Sequence, residues 1–192
     1  MAVAKVKTTK AAGLYGQLCA LPEGLTGEII NGRLYTEPRP AWPHLRAESV
    51  LESELYRTYD KGEGGPGGWW IVIEPEIHFV RDVEVVVPDL AGWRRERMPN
   101  PPRDHRVEVV PDWVCEILSP GTRSKDRELK MPLYARYGVA YLWLIDPDVK
   151  RLEAYELKEG KWTALGVYEG DAEARIPPFD AIVLRLADLW VA

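Results

Sequence analysis

Apolar side chains recur every four residues at Ala47, Leu51, Leu55 and Tyr59, with Val50 beside them. That spacing places them on one face and predicts an amphipathic helix over 44–59. Further on the apolar period shortens. Strands are predicted at 69–73, 76–81, 83–87 and 90–94. The stretches 113–118 and 141–145 are almost wholly apolar, the pattern of strands covered on both faces. Between them a helix is expected over about 125–137, with Gly138 placed to end it. Pro132 lies inside that helix. Its missing N–H should kink the helix or confine it to the part from Met131 onward. Strand, helix and strand then read as a right-handed parallel crossover.

Turn residues divide the rest. Asn31-Gly32 between short apolar alternations predicts a tight hairpin with a type I′ turn. Glu159-Gly160 ends a second alternation and predicts another hairpin with one wet face. Pro38, Pro40 and Pro43 mark a loop. Thr8 or Thr9 is a candidate cap for a first helix through Leu14, Leu18 and Leu21. Gly62, Gly64 and Gly67 match G-x-G-x-x-G, but they follow a helix and precede a strand, the wrong order for a phosphate cradle. Residues 94–106 are polar, Pro-rich and basic, a surface loop. Val183, Leu184, Leu186, Leu189 and Trp190 make an apolar tail. The predicted class is α/β (α+β): a mixed β-sheet flanked by helices, with an amino-terminal helix and hairpin. One domain is expected over 1–192, with an extension at 1–43, a core at 44–157 and carboxy-terminal strands and a short helix at 158–192.

Composition narrows this picture. The chain is 46% hydrophobic and 29% charged, enough for a core and a wet surface. No run approaches a membrane span, and the first residues have no signal-peptide core, so a cytoplasmic location is expected. Cys19 and Cys115 lie among apolar residues and read as free buried thiols. A net charge of −5 weighs against nonspecific nucleic-acid binding unless a local basic patch overrides it.

The candidate chemistry lies where charge interrupts apolar strands. Glu116 is flanked by Trp113, Val114, Cys115, Ile117 and Leu118. A carboxylate there needs a counter-charge, hydrogen bonds or a metal. Asp89 ends another apolar strand after Pro88. Two such carboxylates suit a hard divalent cation, which lowers the pKa of water and offsets charge on phosphate. The plainer readings are a turn for Asp89 and an arginine salt bridge for Glu116. Lys125 and Lys130 follow on the next helix, and an ammonium there could orient water or stabilise charge. Asp126 and Lys130 also form an i,i+4 pair, which reads as a surface ion pair. Glu28 reads as a partner of Arg33, His44 as a helix cap, and Glu48 and Glu52 as a solvated face. No Ser-His-Asp order or nucleophile elbow is visible.

Taken in order, Val87-Pro88-Asp89-Leu90, then 116–122, Asp126, Lys130, Tyr134, Gly138-Val139 and 141–147 resemble a bacterial family of putative restriction endonucleases within the PD-(D/E)XK nuclease superfamily. The hairpin around Asn31-Gly32 and Pro43-His44 resemble its amino-terminal half. The resemblance spans about 21–155. It implies a restriction-endonuclease-like core, Mg²⁺ or Mn²⁺ held by Asp89, Glu116 and the backbone carbonyl of Ile117, and DNA as substrate. Asp89, Glu116 and Lys130 would be the catalytic set. Leu118 occupies the usual lysine position, so the lysine would have moved to the helix, at Lys130. Gly121 stands where the family usually shows Ser. A homodimer would suit cleavage of both strands. The alternative is a non-catalytic member of the fold, acting as a DNA-binding or protein-interaction module.

Overall fold

The structure, a computed structural model, describes residues 13–191. The caps expected at Thr8 or Thr9 lie outside the described residues. Helix α1 spans Leu14–Leu18, so Leu21 falls beyond it. Strands β1 (Leu25–Ile30) and β2 (Arg33–Pro38) form the predicted hairpin. Asn31 and Gly32 both have positive φ, 51° and 72°, as a type I′ turn requires.

Helix α2 (Trp42–Leu55) begins earlier than its apolar period. Pro43 falls in its first turn, where a missing N–H costs little. A π-helical turn, Tyr56–Asp60, continues it and brings Tyr59 into the core. The glycine-rich loop leads to β3 (Trp69–Ile73), β4 (Glu76–Val80), β5 (Glu84–Val86) and β6 (Leu90–Arg94). The expected surface loop follows, ending in the short β7 (Arg106–Val107).

Next comes β8 (Trp113–Ile117), every residue of it buried. Helix α3 (Arg123–Lys125), a π-helical turn (Asp126–Lys130) and α4 (Met131–Tyr137) run without a break. The π turn is the physical answer to Pro132. The backbone changes its hydrogen-bond spacing just ahead of the residue that has no N–H to give. Gly138 ends α4 in the left-handed conformation, φ 80°. Strand β9 (Tyr141–Asp146) pairs parallel with β8. Strands β10 (Arg151–Lys158) and β11 (Lys161–Glu169) form the second hairpin. Short β12 (Glu173–Ala174) and β13 (Leu184–Arg185) pair near the end.

The architecture is mixed α+β, with two mixed sheets where one was expected. One runs β2-β1-β5-β4-β7 and the other β11-β10-β9-β8-β6-β3. One face of the six-stranded sheet packs on α2 and the tail, through Leu51, Leu55, Trp113, Trp143, Phe179 and Trp190. The other face packs on α4 and the five-stranded sheet, through Ile77, Val86, Trp93, Leu133 and Tyr134. The chain passes from one sheet to the other at 87–89, between β5 and β6. Cys115 is buried as expected. Cys19 is exposed, because the turn after α1 leaves it outside the core; both thiols are free. No helix among the described residues is long and apolar enough to cross a membrane.

Candidate active site

The crossing between the sheets places Asp89. In the antiparallel pair β6–β8, Leu90 stands opposite Cys115, which brings Asp89 alongside Glu116 and Ile117. The Ile117 N–H donates to Asp89 Oδ2 at 2.5 Å. Asp89 Oδ1 lies 3.0 Å from His44 Nε2, delivered by the first turn of α2. His44 is therefore inside the helix and in the site, rather than a cap. Among the described residues its buried Nδ1 has no hydrogen-bond partner.

Glu116 is 2% exposed. Its carboxylate lies 2.8 Å from Lys130 Nζ and accepts a short hydrogen bond from the Tyr134 hydroxyl. Lys130 is equally buried, reaches Glu28 at 2.9 Å and Asp126 at 3.9 Å, and donates to the Val87 carbonyl at 3.3 Å. The surface-pair reading of Asp126 and Lys130 is thus corrected. Both side chains lie on the buried face that continues through Leu133 and Tyr134, against Glu28 of β1. Lys125 binds Glu28 and, at 2.9 Å, Glu37.

Asp89, Glu116, Ile117 and Lys130 line one cavity of about 450 Å³, with Glu28, His44, Lys125 and Asp126. The structure brings all the predicted site residues together. Sequence reasoning missed Glu28, which it had paired with Arg33. Glu28 is buried, holds both lysines and accepts the Val87 N–H at 2.9 Å. The signal was the one used for Glu116: an acid beside Ile29 and Ile30 in an apolar strand. Glu48 is likewise buried rather than solvated, one turn beyond His44. Leu118, where the resemblance would expect a lysine, is packed in the apolar cluster around Tyr134. Gly121 lines the cavity, and a Cβ there would meet nothing closer than Ser119 Oγ at 3.9 Å. A serine side chain would therefore have room to start.

Charge in the cavity is uneven. Burial pushes Glu116 well above the usual carboxylate range. Lys130 pulls it back, while Asp126, Asp89 and Glu28 add to the rise. Burial works on Glu28 in the same sense, but Lys130 and Lys125 together outweigh it and hold that carboxylate low. Lys130 is raised: burial opposes its charge, and Glu116 and Glu28 more than compensate. Two carboxylates share one lysine, and Glu28 has the better claim because it also holds Lys125. Burial lifts Asp126 to about 6 against the pull of Lys130. Burial, then Asp89 and Glu74, lift Glu48 to about 7. Burial lowers His44, but its hydrogen bond to Asp89 and the charges of Asp89, Glu48 and Asp126 raise it overall.

Among the described residues no three His, Cys, Asp or Glu side chains are arranged as a metal cage. Asp89, Glu116 and the Ile117 carbonyl form a smaller set, all oxygen. That chemistry suits Mg²⁺, which takes one or two carboxylates and keeps its waters. The excess of acids over cations around the cavity points the same way.

Fold and site together define a restriction-endonuclease-like protein. Residues 14–187 match the model of the Uma2 family, described as "Putative restriction endonuclease", and the chain belongs to that family. Among solved structures it is similar to "a putative nuclease belonging to DUF820" from Anabaena variabilis ATCC 29413. That match has 24% identity and a TM-score of 0.72, and covers 93% of this chain and 97% of the other. At that identity the likeness shows the fold. No curated protein matches the chain.

Proposed function

We propose that the protein is a divalent-metal-dependent endonuclease that hydrolyses DNA phosphodiester bonds. The observation that carries this reading is the meeting of Asp89 and Glu116 at the end of paired strands, with Lys130 2.8 Å from Glu116. Asp89, Glu116 and the Ile117 carbonyl would hold Mg²⁺ or Mn²⁺. Bound there, the ion supplies an acidified water and offsets charge on the phosphate. The protein groups around it have separate tasks. The Ile117 N–H and His44 fix the two oxygens of Asp89. Tyr134 and Lys130 fix Glu116. Lys130 is the lysine in contact with Glu116 and would stabilise negative charge that develops beside it. A homodimer belongs to the same proposal, because two cavities would serve the two strands.

A second reading has one observation in its favour. Lys130 is already neutralised by Glu28 and Glu116. A lysine so committed also suits a purely structural role, in a non-catalytic DNA-binding or interaction module. Metal linkage separates the two. Millimolar Mn²⁺ or Mg²⁺ should raise the melting temperature by mass action on the folded state. Glu116→Gln should remove the shift. A melting curve indifferent to metal in the unsubstituted protein favours the non-catalytic module.

A further inference from the structure

The cavity holds few cations for a site that must admit a phosphate. Six of its lining residues are acids (Glu28, Glu37, Glu74, Asp89, Glu116 and Asp126), against Lys125, Lys130 and Arg39, with His44 already on Asp89. Both lysines are committed. Lys125 binds Glu28 and Glu37, and Lys130 binds Glu28 and Glu116. Arg39 differs. It lies in the loop after β2, between Pro38 and Pro40, and is exposed. Among the described residues its guanidinium meets no acid, carbonyl or ring. Glu37, two residues before it, is held by Lys125 at 2.9 Å. The flanking prolines limit the loop's backbone freedom, so less is lost when the guanidinium takes a ligand.

We propose that Arg39 binds a DNA phosphate at the mouth of the cavity, beside the phosphate that is cut. This inference rests on the nuclease reading and adds a substrate-binding residue to it. Depth separates the two phosphates. Glu116 and Lys130 are each 2% exposed, on the cavity floor, whereas Arg39 is exposed at its rim. An anion that approaches the acids meets, among the described residues, no other uncommitted lysine or arginine on the lining. Phosphate contacts dominate the affinity of proteins for DNA, so that one cation weighs heavily. A guanidinium also presents paired N–H donors that match two phosphate oxygens. Its contact is the same before and during cleavage next door. Losing it should raise KM and leave kcat.

The test pairs two assays on the purified protein. Anisotropy of a fluorescein-labelled DNA duplex reads binding in Ca²⁺, which takes oxygen ligands as Mg²⁺ does. Arg39→Gln should weaken binding about tenfold and reduce the salt slope by about 0.9. Arg39→Lys keeps the charge and loses the fork, so it should keep the slope and recover part of the affinity. Lys161→Gln makes the same change of charge at a residue off the cavity lining and should leave binding nearly unchanged. In Mg²⁺, nicking of supercoiled plasmid by Arg39→Gln should show a raised KM with kcat nearly unchanged. Arg39 is exposed and has no partner to lose among the described residues, so neither substitution at it should move the melting temperature. Three results overturn the inference: unchanged binding by Arg39→Gln, equal weakening by Lys161→Gln, or a loss confined to kcat. If the unsubstituted protein nicks plasmid while Arg39→Gln binds and cuts as well, the inference falls and the nuclease reading stands. If the unsubstituted protein nicks DNA with no metal at all supplied or withheld, both fall.

Discussion

Glu116 and Lys130 are a buried pair, and burial decides what substitution does to each. The ionised form of Glu116 is disfavoured by its surroundings, so a neutral isostere fits them. Glu116→Gln should change metal-free stability by no more than about 1 kcal/mol in urea denaturation. Lys130 is the opposite case. Seen as a helix-surface lysine in the sequence, it promised a harmless substitution to Met. In the structure Lys130→Met strands Glu28 and Glu116 without their shared cation, and should cost about 3–5 kcal/mol. Adding Glu28→Gln should recover part of that loss. A Lys130→Met protein as stable as the unsubstituted one contradicts the buried triad. The sequence showed that Glu116 was buried, because its strand neighbours are all apolar. It did not show that Lys130 was buried, because Asp126 and Lys130 share the face of Leu133 and Tyr134 but carry charge, and the distant acid Glu28 that helps hold the lysine inside is not a local neighbour.

At the scale of elements, the site depends on the β1–β2 hairpin as much as on β8. The hairpin holds Glu28 over the lysines, and its register is set by the Asn31-Gly32 turn. Gly32→Val puts a β-branched residue at φ 72° and should cost about 1–2 kcal/mol. It should also weaken the metal-induced melting shift if Glu28 moves with the turn. An unchanged melting temperature would show that the turn does not set the hairpin. Both hairpins and the two buried strands were legible in the sequence, since each rests on local turn chemistry or an unbroken apolar run. The division into two sheets was not. It depends on β1 pairing with β5, a contact across more than fifty residues (Ile29 opposite Val85) that no local pattern carries. The same gap hid Glu28: its partners Lys125 and Lys130 arrive from the far side of the chain.

For the whole molecule, the cavity's excess of acid should appear as a pH dependence. Glu48 and Asp126 bind protons more tightly folded than their ordinary values of 4.5 and 3.8 allow, rising to about 7 and about 6. Their contribution to stability is present below those ordinary values and is lost as pH rises through 6 and 7. His44, also raised, acts in the same direction from its ordinary 6.5 upward. Metal-free protein should therefore lose stability between about pH 4 and pH 7, with His44 extending the decline upward, and Glu48→Gln should flatten the part between 4.5 and about 7. Glu28 opposes this only in acid, where its lowered pKa withdraws stability as pH falls. The most direct measurement of the central claim is nicking of supercoiled plasmid by the purified protein and by Glu116→Gln, in Mn²⁺, in Mg²⁺ and in EDTA. The account predicts cleavage by the unsubstituted protein with either metal, none in EDTA, and none by Glu116→Gln. Cleavage that survives EDTA or Glu116→Gln, or a well-folded unsubstituted protein that never nicks DNA with metal, would contradict it.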